Sequence, residues 1–242
     1  MTCEWVDCDR NSVKQRYDRI AKFIPVFDRL FFLPPDLRRK AVDRLGLSRG
    51  DSVLEIGCGT GNSFSYLYDA VGPAGHIYAV DISPGMLRGA RKLRDLNQWH
   101  NVELSECDAA DYTAPTPLDG VLFNLSYNTM PHHRSVLNKA WNRLRSGGRV
   151  VIMDAKLPPG RAGEIILPFC LWLMKRTMLG NPLIQPWKEI AALTEYFNMS
   201  EYLFASYYIC CGVKPLARDT AAECGSTSKD NAGSDLYRIA AE

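Results

Sequence analysis

Val53-Leu54-Glu55-Ile56-Gly57-Cys58-Gly59-Thr60-Gly61-Asn62 is the stretch from which the rest of the chain can be read. An apolar run enters a cluster of glycines and a helical segment follows at once, giving the order strand, turn, helix. Glycines admit backbone angles closed to other residues and let a ligand approach the main chain. The amino terminus of the following helix adds free N–H groups and a partial positive field. Dinucleotide-binding folds share such a loop, but their fingerprint wants glycine or alanine at the sixth position, where this chain has Asn62. That asparagine leaves less room for a pyrophosphate, and Glu55, one residue inside the strand end, repels one. An acidic strand end instead suits a cationic ligand.

Outward from the loop, apolar runs alternate with helical segments. Residues 52–56, 76–80, 102–106, 120–125 and 149–154 read as strands, while 61–71, 84–96 and 133–145 have helical periodicity. Ser83 and Pro84 supply a cap and a first-turn proline for one helix, and Gly147-Gly148 stops another. This alternation, with continuous apolar strands, predicts an α/β fold: a parallel sheet covered on both faces. Residues 155–186 are proline-rich and read as an irregular insertion, which in a doubly wound sheet sits over the site at the carboxyl ends of the strands. Residues 187–198 read as a helix, and 201–206 and 207–213 as two strands antiparallel to each other. Before the core, 9–33 read as a helix broken near Pro25 and capped by Asp9, Asn11 or Ser12. A second short helix follows Pro34-Pro35-Asp36 and ends near Gly46. The polar stretch from about 215 to 242 has the composition of a flexible tail.

The 242 residues carry a net charge of +2, with 46% hydrophobic and 23% charged residues, the profile of an ordinary globular chain. Near-balanced charge excludes a nucleic-acid partner recognised through overall basicity. The apolar run 165–174 contains Pro168 and falls well short of the ~20 residues that a membrane span needs. The opening residues lack the basic-then-apolar order of a signal peptide. Eight cysteines without a CxxC pattern read as reduced thiols, hence a cytoplasmic protein. The four histidines do not fall at ligand spacing from the cysteines, so no metal site is expected.

Two further acids follow the loop at successive strand ends. Asp81, closing the second strand, can take both hydroxyls of a ribose, with Ile82 and Met86 placed to sandwich a flat purine. After the third strand, Asp108 in Cys107-Asp108-Ala109 can accept from an exocyclic amine. Each acid alone also reads as a helix cap or a solvated turn residue; their order, one per strand–helix unit, favours the ligand.

VLEIGCGTG (53–61), AVDISPGML (79–87) and ECDAADY (106–112) resemble the glycine-loop, ribose-acid and adenine motifs of class I S-adenosylmethionine-dependent methyltransferases. The resemblance covers roughly residues 13–213. Tyr17-Asp18-Arg19-Ile20-Ala21 is similar to the ubiquinone/menaquinone methyltransferase group. The segment 121–131 (VLFNLSYNTMP), with Tyr207-Tyr208-Ile209, resembles bacterial phospholipid N-methyltransferases. The resemblance implies a Rossmann-like seven-stranded sheet with its last strand antiparallel. With the compositional reading above, the chain is taken as an amino-terminal helical lid (1–49), a methyltransferase domain (50–214) with a lid insertion (155–186), and the tail (215–242). The resemblance carries cofactor roles onto Gly57, Gly59, Gly61, Asp81, Asp108 and the Asn124 strand end, with Glu55 matching the family's acid before the loop. Cys58, Ile82, Met86 and Ala109 complete the candidate S-adenosylmethionine set. Downstream the chain departs from the quinone pattern, reading Met153-Asp154-Ala155-Lys156 where that group has an acidic, serine-containing stretch.

Methyl transfer needs an acceptor held near attack geometry. It needs a base only if the acceptor must lose a proton in the slow step. Candidates after the fourth strand are Tyr127, Asn128, His132 and His133, with Tyr17 reaching back from the lid as the resemblance suggests. Either histidine can deprotonate a phenol or enol; for an amine acceptor, Asn124, Tyr127 and Asn128 suffice to orient it. Pro131-His132-His133 also reads as an ordinary helix start, and Tyr17 as a helix-packing aromatic. The apolar and basic stretch 22–40, and 165–174 followed by Lys175-Arg176, either pack on the sheet edge and each other or make a peripheral membrane contact. Both versions suit a hydrophobic small-molecule or lipid acceptor of the secondary-metabolite or phospholipid-like kind. A quinone-ring C-methyltransferase is the alternative enzyme. A cyclase or scaffold using the same pocket is the alternative of another class.

Overall fold

A computed structural model describes Lys14, Gln15, Tyr17, Asp18 and residues 33–174, 180–181 and 183–216. The break expected near Pro25, its caps, the stretch 22–32, Lys175-Arg176 and nearly all of the tail lie outside these residues. Seven strands form one sheet in the order β3-β2-β1-β4-β5-β7-β6. They are β1 Ser52–Ile56, β2 His76–Asp81, β3 Val102–Glu106, β4 Leu118–Asn124, β5 Leu144–Ala155, β6 Phe197–Tyr202 and β7 Tyr207–Val213. Neighbours from β3 to β5 are parallel, and β7 runs antiparallel to both β5 and β6. This is the mostly parallel sheet that the alternation predicts, in the Rossmann-like seven-stranded form that the resemblance implies.

The period of two along each strand divides the core into two layers. Val53, Ile77, Leu122 and Val151 face α1 (Leu37–Leu45), α2 (Phe64–Val71) and α3 (Pro84–Leu96). Leu54, Tyr78, Val121 and Ile152 face α4 (His133–Arg143) and α6 (Pro186–Ala191). Ser83 caps α3 as its composition demands, its hydroxyl accepting the Met86 N–H at 3.1 Å ahead of Pro84. Gly46 ends α1 in the left-handed region, at φ 60°.

Four local expectations need correction. Gly147-Gly148 does not stop a helix: α4 ends at Arg143 and both glycines lie within β5. The ammonium of Lys214 takes the cap role there, donating to the carbonyls of Trp141, Asn142 and Leu144. The insertion is not wholly irregular, because 161–174 form α5 despite Pro168, whose missing N–H removes one helical bond. The helix expected over 187–198 stops at Ala191. Thr194 interrupts further helix, its hydroxyl donating to Val213 O at 2.8 Å and accepting the Tyr196 N–H at 3.1 Å. The strand placed at 201–206 is β6 at Phe197–Tyr202, and Leu203, Phe204 and Ala205 instead form a hairpin turn with positive φ.

Candidate active site

The strand order reverses at β1, and a cleft opens at the carboxyl ends of β1 to β4, enclosing about 1090 Å³ counted to its open mouth. The glycine loop lines one wall. Gly57, Gly59 and Gly61 have φ of 72°, 56° and 85°. A Cβ on Gly57 would lie 2.5 Å from Ser126 Cβ, and one on Gly61 would lie 2.7 Å from the Phe64 ring. Those two glycines are required by the protein's own packing. Among the described residues nothing lies within 4 Å of a Cβ on Gly59, so the main chain there is open to a ligand.

Asp81 ends β2 beside this loop. Its Oδ2 accepts the Gly59 N–H at 2.8 Å and its Oδ1 the Ser83 N–H at 2.9 Å. Each oxygen keeps a lone pair for a ligand hydroxyl. Burial, with the like charge of Asp18 beside it, pushes the carboxyl up to about 6, against the backbone N–H bonds that favour its charged form.

Glu55 is 1% exposed, and its Oε2 has no hydrogen-bond partner among the described residues. Strand alternation points it to the side of Val53, toward Arg38 of α1 and Ser63 before α2. Burial pushes it up to about 8, while the Ser63 hydrogen bond and the Arg38 guanidinium oppose the rise. Asn124, closing β4, donates its Nδ2 to Ser63 Oγ and leaves a buried Oδ1 without a partner among the described residues. Leu125 then turns left-handed at φ 55°, held by its N–H to Met153 O at 2.8 Å, and carries the chain along the cleft wall to Ser126. Cys58, Ile82, Met86, Asp108 and Ala109 also line the cleft. Asp108 additionally stabilises its own turn, Oδ1 accepting the Ala110 N–H at 2.8 Å.

Of the residues expected at the acceptor, Tyr17 and His132 line this cleft, and Tyr127, Asn128 and His133 do not. Tyr127 is fully buried on the α4 side, donating its hydroxyl to Glu189 Oε2 at 2.6 Å and packing edge-on against Phe123 and His133. Burial drives that hydroxyl far above the usual tyrosine range, so it stays neutral. His133 is held between Glu189, 3.3 Å from Nε2, and Met130 O, 3.2 Å from Nδ1. Asn128 is turned to β5, its N–H on Asp154 Oδ2 at 3.0 Å and its Nδ2 on Ala155 O at 3.0 Å. The short helix Tyr127–Thr129 and the first turn of α4 are thus tied to the β5–α6 side, which withdraws these three from the cleft. Sequence reasoning missed Arg38, Ser63 and Met130 as lining residues. Ser63 stands next to the glycine loop and was recoverable from it, whereas Arg38 reads from sequence as one of several surface basic residues. Among the described residues no cluster of His, Cys, Asp and Glu is placed to hold a metal ion.

Residues 47–193 match the family model described as a methyltransferase domain. Similar curated proteins are named demethylmenaquinone methyltransferase. That of Listeria welshimeri is 27% identical over 143 residues, covering 57% of this chain and 61% of the relative. That of a Geobacillus species is 28% identical over 149 residues, covering 61% of each. The chain therefore spans about 61% of the length of these relatives. Among solved structures, Haemonchus contortus phosphoethanolamine N-methyltransferase 2, determined with S-adenosyl-L-methionine, superposes with a TM-score of 0.67 at 16% identity, covering 84% of this chain and 60% of that one. The 4+2 cyclase SpnF superposes at 0.65 with 15% identity, covering 85% of this chain and 96% of that one. At such identities the superpositions establish shared architecture only. The family match takes in more than half of the chain, from the turn before β1 to beyond α6, and the protein belongs to the methyltransferase domain family.

Proposed function

We propose that the protein is an S-adenosylmethionine-dependent methyltransferase acting on a hydrophobic small molecule or lipid-like acceptor. The observation that carries this reading is a juxtaposition in one cleft. Gly59 faces open space, Asp81 is anchored beside it by two N–H groups, and Glu55 presents a buried oxygen with no partner among the described residues. Such a wall favours a ligand with ribose hydroxyls at one end and positive charge at the other.

The residues present fit that cofactor. Asp81 would take the ribose hydroxyls, Ile82 and Met86 the faces of the purine, and Asp108 with Ala109 its edge. Glu55 Oε2 and Asn124 Oδ1 are acceptors for a cationic amine. When bound, the cofactor supplies an electrophilic methyl carbon on a positively charged sulfur. The chain's own part is to hold the acceptor in line and to shape the field around it. Tyr17 and His132 are the cleft residues suited to the acceptor. The tyrosine orients it, and the histidine removes a proton where the acceptor is a phenol or enol.

Ile165, 77% exposed on α5, and the partly exposed Ile166 and Leu183 support a greasy acceptor or a peripheral membrane contact. No helix among the described residues is long and apolar enough to cross a membrane. The relatives named demethylmenaquinone methyltransferase support a quinone ring as the second reading of the acceptor. The test is incubation of cell extract with the protein and deuteriomethyl S-adenosylmethionine, followed by mass spectrometry. A labelled lipid-like or small apolar product supports the first reading and a labelled quinone the second. Tight cofactor binding with no labelled product would replace both with a cyclase or scaffold.

A further inference from the structure

Asp18 has no part in the roles above, yet its carboxylate is firmly held. Oδ1 accepts the Ser83 hydroxyl at 2.6 Å and the Gly85 N–H at 2.8 Å, both at the amino terminus of α3. Free N–H groups and the helix dipole favour a negative charge at that end. Ser83 Oγ also accepts the Met86 N–H at 3.1 Å, which leaves its own proton directed to Asp18. The backbone N–H of the same serine goes to Asp81 Oδ1 at 2.9 Å. A single residue, Ser83, therefore holds both Asp18 and the acid at the end of β2. The approach is close: a Cβ on Gly85 would lie 2.8 Å from Asp18 Oδ1 and 3.1 Å from its Cα. One helical turn earlier, Lys14 pairs with Glu106 at the end of β3 at 3.3 Å, in a half-exposed contact of small weight. Between these contacts stands Tyr17, on the cleft wall.

We propose that Asp18 is a positioning residue that fixes Tyr17 at the β2–β3 end of the cleft, acting through Ser83. It thereby sets how long the cofactor and its demethylated product stay bound. The proposal rests on the reading above that this cleft takes S-adenosylmethionine. Asp18 touches no reacting atom. Losing its bonds leaves the Gly59–Asp81 contact in place, so the ligand still enters but leaves sooner.

The test compares S-adenosylhomocysteine release by stopped-flow in wild type, Asp18→Ala and Gly85→Ala. Gly85→Ala retains Asp18 and raises the helix propensity of α3, but its Cβ displaces the carboxylate. Both variants are expected to release the product about tenfold faster or more, as for a lost charge-assisted hydrogen bond. The KM for the methyl donor should rise in step and that for the acceptor stay unchanged, even where the lost Asp18 bonds lower the unfolding midpoint. A merely structural role would lower the midpoint without a selective change in release. Wild-type release rates in both variants overturn the proposal while leaving the cofactor reading intact. A wild-type protein that binds neither compound overturns the cofactor reading, and this proposal with it.

Discussion

The backbone N–H of Gly59 donates to Asp81 Oδ2 at 2.8 Å, tying the turn after β1 to the end of β2. The acid that would hold a ribose is thereby also the acid that shapes the glycine loop. Replacing Asp81 with Ala is expected to weaken S-adenosylmethionine binding by roughly 1.5–3 kcal/mol, the weight of hydrogen bonds to a charged group. Titration calorimetry measures it. Unchanged affinity would remove Asp81 from the binding site.

The three loop glycines should separate by phenotype. Gly57→Ala and Gly61→Ala drive a Cβ into Ser126 and the Phe64 ring, so they lose thermal stability before any ligand is added. Gly59→Ala meets no protein atom within 4 Å among the described residues and carries only the left-handed backbone penalty, about 1–2 kcal/mol. It should fold and yet bind the donor poorly. A Gly59→Ala protein that folds and binds as wild type does would mean that the ligand stays clear of this backbone.

Burial raises Glu55 to about 8 and Asp81 and Asp154 to about 6, from ordinary values of 4.5, 3.8 and 3.8. In each case the folded state holds its proton more tightly than the unfolded chain does. Their contribution is complete below the unfolded values. It is lost as pH rises, first through the two aspartates to about 6 and then through Glu55 to about 8. The unfolding midpoint of the ligand-free protein should therefore fall between about pH 6 and 8, and Glu55→Gln should flatten that fall. A cation beside Glu55 favours its ionised form. Stabilisation by S-adenosylmethionine should accordingly grow over the same interval, and by more than that of S-adenosylhomocysteine, which lacks the sulfonium charge. A midpoint independent of pH in both proteins would show that Glu55 is already ionised.

Lys214 closes the carboxyl end of α4 with bonds of 3.0, 3.4 and 2.7 Å to the carbonyls of Trp141, Asn142 and Leu144. Substitution by Met keeps the aliphatic stem and removes the charge. The expected loss is about 1–3 kcal/mol in denaturant unfolding, with donor affinity unaffected because Lys214 does not line the cleft.

Phe204 is 90% exposed at φ 54°, between two other residues of positive φ. Glycine there relieves a backbone cost of about 1–2 kcal/mol, partly offset by the extra freedom of the unfolded chain. A net gain of up to about 1 kcal/mol follows, readable as a higher unfolding midpoint. A loss would mean that the added freedom of the unfolded chain outweighs the relief of backbone strain.

What could be read from the sequence were the features whose causes are local. Apolar runs entering turns marked the five parallel strands to within a few residues, and Ser83-Pro84 announced α3. The positive φ of Gly57, Gly59 and Gly61 is a demand that the motif itself declares. Asp81 and Asp108 were findable because each strand end in a parallel sheet delivers its next residue to the same edge. The side chains beyond β4 were different. Tyr127, Asn128 and His133 are close in sequence to Asn124 and looked equally placed for the acceptor, but their orientation is set from a distance. Glu189, 62 residues on, takes the Tyr127 hydroxyl, and Asp154, 26 residues on, takes the Asn128 N–H. Arg38 joins the cleft only because α1 packs over β4 and β5, and Asp18 meets Ser83 across 65 residues. Local propensity and periodicity thus determined the sheet and the acids at its β1–β3 strand ends, while tertiary structure alone decided the orientation of Tyr127, Asn128 and His133 and the entry of Arg38, because a buried donor or acceptor points to whichever distant partner satisfies it.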